Sequence, residues 1–336
     1  MGYSSYTADA AAALHHTTTS RKDKDPADYF KSPVGIVVDS RTVAPEVNPF
    51  EKIRECRDSD AHPRSKGIIV GFDTTGSMRH FPKIFATESL PKLMGLLVQK
   101  NFCEDPAVLF SAFNDGTTSA HPVQVGQFES GLEMDDDLTR LPLQGGGGGS
   151  MEESSEMLIY WAGHKTKMDC MEKRNQKGYL FILTDEKPYN TISARQVLET
   201  IGDKLQGDMK TEEAVAKARE SFQVFVVLAE TGSYQGPQGA AIRKRWIELL
   251  GEEFVLTLQD AAGGAELIAA TVGLYEGALD ASNLKSDLAA AGVSDAVADS
   301  VSTSLTVATR NSGGMTKASS SSNLPAPSKK GGVTRL

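Results

Sequence analysis

The chain has 336 residues, 40% of them apolar and 24% charged, with a formal charge of -9, the composition of a globular protein long enough to bury a sizeable core. An acidic balance argues against non-specific nucleic-acid binding, which needs a basic surface to displace counterions from phosphate. No run reaches the roughly 18 apolar residues of a membrane span, no basic stretch precedes the Ala-rich patch Ala10 to Leu14, and the three cysteines, Cys56, Cys103 and Cys170, stand far apart and outside any CxxC spacing. The expectation is a cytoplasmic protein without secretory signal, disulfide or zinc site.

Residues 1–65 are polar and proline-bearing, an arm with one short apolar run, Val34 to Val38, that fits an edge strand. At Gly67 the pattern changes. Gly67 to Phe72 is nearly all apolar and ends in a polar turn, as expected of a strand buried on both faces. Phe81 to Val98 then spaces its apolar residues as a helix does, despite Pro82 and Pro91. Strand patterns follow at Ala107 to Phe113 and Pro122 to Phe128, then a glycine run at 145–149 and a helix from Met151 to about Lys165. Tyr179 to Thr184 is a second buried-strand signature, and Phe222 to Leu228 a third. Between them, residues 187–221 form an insertion with two predicted helices, Ser193 to Leu205 and Thr211 to Ser221, placed to cap or flank a site. A helix at Ala240 to Leu250, a strand at Glu253 to Leu258 and a helix at Ala265 to Leu279 complete a domain spanning 66–280. Alternating strands and helices predict an α/β fold, a mostly parallel sheet covered on both faces. Residues 281–336 are Ala- and Ser-rich, a weak helix or two followed by a disordered basic tail.

Two acids, Asp73 and Asp185, each follow a strongly apolar strand, and open α/β sheets hold their ligands beyond the carboxyl ends of the strands. Thr75 and Ser77 alternate after Asp73, so a tight turn at Gly76 aims three oxygen-bearing side chains at one point. Ser150, at the end of the glycine run, is a helix N-cap candidate whose hydroxyl is also available to a cation. Carboxylates and hydroxyls without Cys or His form a hard-oxygen set suited to Mg²⁺ or Mn²⁺. The competing reading is that Asp73, Thr75 and Ser77 only cap the next helix. Asn114 and Asp115, at another strand end, are candidate outer-shell groups, and Asp135 to Asp137 reads as a solvated loop.

The string Phe72-Asp73-Thr74-Thr75-Gly76-Ser77-Met78 resembles the DxSxS loop of von Willebrand factor A domains, and Leu183-Thr184-Asp185 resembles their strand-end "TD". Ser150 stands where the family more often has threonine, and Glu186 where it commonly has glycine or alanine. The resemblance covers roughly Gly67 to Leu279. It implies a six-stranded, doubly wound domain with a metal-ion-dependent adhesion site, in which Thr75 and Ser77 ligate directly, Asp73 and Asp185 supply charge, and an open position takes a partner's carboxylate.

Other chemistries fit less well. An extra threonine separates Asp73-Thr74 from the glycine of an aspartic-protease loop, and Thr75 stands where a haloacid-dehalogenase-type phosphatase needs its general acid. There is no Walker A lysine, no GxGxxG after the first strand and no GxSxG. The expectation is a binding module, not an enzyme, that recruits an acidic protein side chain through Mg²⁺ as an adaptor to an ATPase or larger assembly. The alternatives are a metal-dependent phosphoester hydrolase with Glu186 as base, and an assembly protein with a vestigial site.

Overall fold

Residues 67–72 are apolar at consecutive positions and too few for a stable helix, and they form the centre of strand β1 (Ser65–Asp73), buried along its whole length. In the computed structural model, which describes residues 4–32, 43–143 and 151–311, β1 lies inside a six-stranded sheet with β2 (Asp105–Phe113), β3 (Val123–Val125), β4 (Gly178–Thr184), β5 (Phe222–Ala229) and β6 (Val255–Leu258). The order is β6-β5-β4-β1-β2-β3. All neighbours run parallel except the edge strand β3, which is antiparallel to β2, so the sheet is mixed and mostly parallel. The fold is α/β.

Ten helices of seven residues or more accompany the strands among the described residues: α1 (Ala8–Thr19), α2 (residues 80–99), α3 (Glu133–Arg140), α4 (Ser155–Lys165), α5 (Ala194–Thr200), α6 (Thr211–Ser221), α7 (Gly239–Leu250), α8 (Gly264–Glu276), α9 (Leu284–Ala290) and α10 (Asp295–Asn311). Alternate strand residues feed two cores. Ile68, Val70 and Phe72 pack with Phe81, Phe85 and Leu93 of α2 and with Leu267 and Ile268 of α8. On the opposite face Ile69, Leu180 and Ile182 meet Leu158 and Trp161 of α4, Ala218 of α6 and Trp246 of α7.

Helix α2 runs through its prolines by widening. Pro91 has no N–H to donate, and the turns Phe85–Ser89 and Gly95–Gln99 adopt π geometry, with the Leu90 amide reaching back to the Phe85 carbonyl. Of the predicted insertion, α6 is the crossover helix between β4 and β5 and packs along α4. A Cβ on Gly163 would lie 2.8 Å from the Ala218 backbone nitrogen and 3.1 Å from its Cα, so the two helices touch backbone to backbone. Gly163→Ala gains helix propensity but forces that contact apart, and we expect a net loss of about 1–3 kcal/mol, read as a lower urea midpoint.

Both flanks join this framework. Tyr6, Leu14, Phe30 and Val47 enter the first core from the N-terminal side, and Leu284, Leu288, Ala298, Val301 and Leu305 enter it from α9 and α10. The Val125 amide of β3 donates to the Val47 carbonyl at 2.8 Å, and the Thr257 amide of β6 donates to Ser304 Oγ of α10 at 3.0 Å. The three cysteines are buried and unbridged. No helix among the described residues is long and apolar enough to cross a membrane. The predicted edge strand Val34 to Val38, the glycine run and the tail from residue 312 lie outside the described residues.

Candidate metal centre

Parallel register brings the ends of β1, β2, β4 and β5 to one rim. Asp73 stands opposite Phe113 of β2, one residue past the pairing of Phe72 with Leu183, and Thr184 stands opposite Leu228. Asp73 is fully buried and both of its oxygens are engaged. Oδ1 accepts the Thr75 amide at 2.9 Å and the Thr75 hydroxyl at 2.5 Å, and Oδ2 accepts the Thr184 hydroxyl at 2.9 Å. The Thr74 amide and hydroxyl both donate to the Phe113 carbonyl, tying the loop to β2. Met78 and Arg79 then donate to the Thr75 carbonyl, and this turn leaves Gly76 exposed and Ser77 half-buried at the mouth of the site.

Asp185, the residue after Thr184, is fully buried. It meets Ser77 beneath the loop that follows β5. A Cβ built on Gly232 would lie 1.9 Å from Asp185 Oδ2, 2.6 Å from Ser77 Cβ and 3.0 Å from Ser77 Oγ, and Gly232 has a left-handed φ of +44°. Only a glycine backbone fits over these two oxygens. Asp73 and Thr75 are thus bonded to each other, and Ser77 and Asp185 meet beside them at the same end of the sheet.

Ser150 lies outside the described residues, and the helix expected from Met151 starts later. Helix α4 begins at Ser155, because Glu152–Glu153 first runs extended and pairs with Lys187–Pro188. The N-cap position therefore falls to Ser154. That serine does not cap: its Oγ accepts the Gly116 amide at 2.9 Å, and its own amide donates to the Asn114 carbonyl at 3.2 Å, clamping the start of α4 to the loop after β2.

This detour delivers Glu153, which sequence reasoning missed. It is 3% exposed, and its Oε2 has no hydrogen-bond partner. Burial, then the fields of Asp73, Glu186, Asp115 and Asp185, push its carboxyl up to about 11. Asp73 is likewise pushed up to about 7, chiefly by burial, with the Asp185 charge adding to it against the hydrogen bonds from Thr75 and Thr184. Among the described residues no lysine or arginine forms an ion pair with Asp73 or Glu153. An acidic pocket whose carboxyls resist ionisation is short of positive charge.

Among the described residues no group of three His, Cys, Asp or Glu side chains is ready to hold a metal ion. A hard-oxygen site draws on hydroxyls and retained waters as well as carboxylates. The hydroxyls of Thr75 and Ser77, the carboxylates of Asp73 and Asp185 and the orphaned Oε2 of Glu153 are chemically suited to Mg²⁺ or Mn²⁺. His80, unremarkable in the sequence, stands at the mouth of the site, its ring bonded to the Ser77 backbone and kept below the usual histidine range chiefly by burial.

No family model and no curated protein matches the chain in sequence. Among solved structures it is similar to the pilus adhesin SpaC from Lactobacillus rhamnosus GG in its open conformation, with a TM-score of 0.41 and 10% identity over 66% of this chain and 31% of that one. It is also similar to proximal thread matrix protein 1 (PTMP1) from the mussel byssus, with a TM-score of 0.36 and 12% identity over 65% of this chain and 48% of that one. The chain thus spans less than half of either protein, and likenesses this slight assign neither family nor function.

Proposed function

We propose that the chain is a von Willebrand factor A-type, doubly wound domain that binds a protein partner through a divalent cation, Mg²⁺ or Mn²⁺, held by Thr75, Ser77, Asp185 and Glu153 and oriented by Asp73. The observation that carries this reading is the meeting of Ser77 and Asp185 under Gly232, beside an Asp73 whose oxygens are already engaged by Thr75 and Thr184. When bound, the cation supplies an electrostatic anchor for an acidic side chain of the partner. The chain's own residues fix the ligand oxygens and confine access to the side where Gly76 and Ser77 are open. Asp73 makes a poor nucleophile with both oxygens accepting hydrogen bonds, which favours binding over phosphoester hydrolysis. A cytoplasmic adaptor is the setting we propose for it.

The test is a pull-down from native lysate with wild type and Asp73→Ala, each with and without EDTA, after circular dichroism has verified the variant's fold. The expected result is a partner retained by wild type in Mg²⁺ and lost in the other three conditions. The same partners in all four conditions would refute the metal-bridged reading.

A further inference from the structure

The loop after β2 repeats the chemistry of the loop after β1. Asp73-Thr-Thr-Gly-Ser77 and Asp115-Gly-Thr-Thr-Ser119 both place an acid, a threonine and a serine at alternate positions. The local bonding matches as well: the Thr117 amide and hydroxyl donate to Asp115 Oδ1 at 2.8 and 2.7 Å, as those of Thr75 do to Asp73. Asp115 is fully buried, and the Tyr189 hydroxyl also donates to its Oδ1 at 2.8 Å. Such turns are common and would by themselves mean little.

What points to a ligand is the pair of orphaned groups beside this loop. Glu153, with its partnerless Oε2, is held against the loop by the two bonds between Ser154 and residues 114 and 116. It lies in the field of Asp115 as well as that of Asp73. Asn114 is wholly buried, and neither its side-chain oxygen nor its nitrogen has a partner. A buried amide and a buried carboxyl where the start of α4 is clamped to this loop, both unsatisfied, call for a polar occupant. Among the described residues no lysine or arginine pairs with Asp115 or Glu153. A cation can take the Glu153 oxygen and the Asn114 amide oxygen together as ligands and lets the buried carboxyl ionise.

We infer that the rim holds two divalent cations, the second between Asp115, Glu153 and the Asn114 amide oxygen, with Glu153 shared by both sites. This rests on the reading of the first loop as a metal site and extends it. The second ion offsets the carboxylates that one dication leaves uncompensated, so that a partner's anionic side chain can approach the first. Like the first, it is a hard-oxygen site for Mg²⁺ or Mn²⁺.

Equilibrium dialysis of the full chain against Mn²⁺, with metal counted by mass spectrometry, separates the cases. Two Mn²⁺ per wild-type chain are expected, falling to one in Asp115→Asn and to one in Asp73→Asn, with Asn114→Ala weakening only one of the two sites about 10-fold. One Mn²⁺ in wild type, lost in Asp73→Asn and unchanged in Asp115→Asn and Asn114→Ala, overturns the second site and leaves the first. No bound Mn²⁺ overturns both. Asn114→Ala adds no charge and removes no backbone tie, so the proposal stays testable if Asp115→Asn fails to fold.

Discussion

Stripped of divalent cations, the protein should lose thermal stability as the pH rises from about 5 to 8, and millimolar Mg²⁺ should restore most of what is lost. In the fold Asp73 holds its proton up to about 7 against an ordinary 3.8, and Glu153 up to about 11 against an ordinary 4.5. Within those windows the unfolded chain has released protons that the folded chain retains, so stability falls with rising pH. For Asp73 the window is about 4 to 7; for Glu153 it spans the neutral range. Each tenfold change in proton affinity on folding corresponds to about 1.4 kcal/mol, which makes the combined penalty of the order of several kcal/mol. At roughly 2–4 °C per kcal/mol the melting temperature should fall by about 10 °C. A bound dication stabilises the ionised forms, so the slope should flatten in Mg²⁺.

Glu129 provides an internal control, because burial also pushes its carboxyl up to about 7 and it lies on the far side of β2, bridged to Val108. Glu129→Gln should remove part of the slope in EDTA and leave the Mg²⁺ response intact. Superimposable melting curves in EDTA and Mg²⁺ at every pH would mean that the acidic cluster holds no cation.

Gly232→Ala should weaken Mn²⁺ binding by about 10-fold or more while leaving the far-ultraviolet dichroism of the sheet unchanged. The new methyl carbon would stand 1.9 Å from Asp185 Oδ2 and 2.6 Å from Ser77 Cβ, so the loop must lift or Asp185 must swing aside. Gly277→Ala supplies the comparison. Its φ is +78° and no atom lies within 4 Å of the added carbon, so it bears only the left-handed backbone cost of about 1–2 kcal/mol. Titration of both variants with Mn²⁺ separates a steric effect at the metal oxygens from general strain. Equal affinities in the two variants would place the cation elsewhere.

The strands buried on both faces were legible because unbroken apolar runs such as 67–72 and 179–184 admit few other folds. The acids ending them were legible for the same reason, since a charged residue directly after such a run must sit at a strand end. Helix α2 showed through its prolines because the apolar spacing survives the widened turns. Glu153 was hidden, because Met-Glu-Glu-Ser-Ser-Glu looks like the polar first turn of a helix, and only pairing with Lys187–Pro188 reveals it as extended. The loop after β2 reads in the sequence only as an outer amide and an outer acid, Asn114 and Asp115, since its likeness to the first loop rests largely on the hydrogen bonds that Thr117 makes to Asp115.

A parallel sheet of this kind has two rims at which unpaired amides and carbonyls invite another strand. Here the closing groups come from segments outside the strand-helix alternation: the arm at Val47 occupies one rim and Ser304 of α10 the other. A fragment trimmed to the alternating region alone would keep every residue of the acidic rim and lose both guards, becoming a template for edge-to-edge polymerisation. Such a fragment should associate at concentrations where the full chain does not, a difference that light scattering reads.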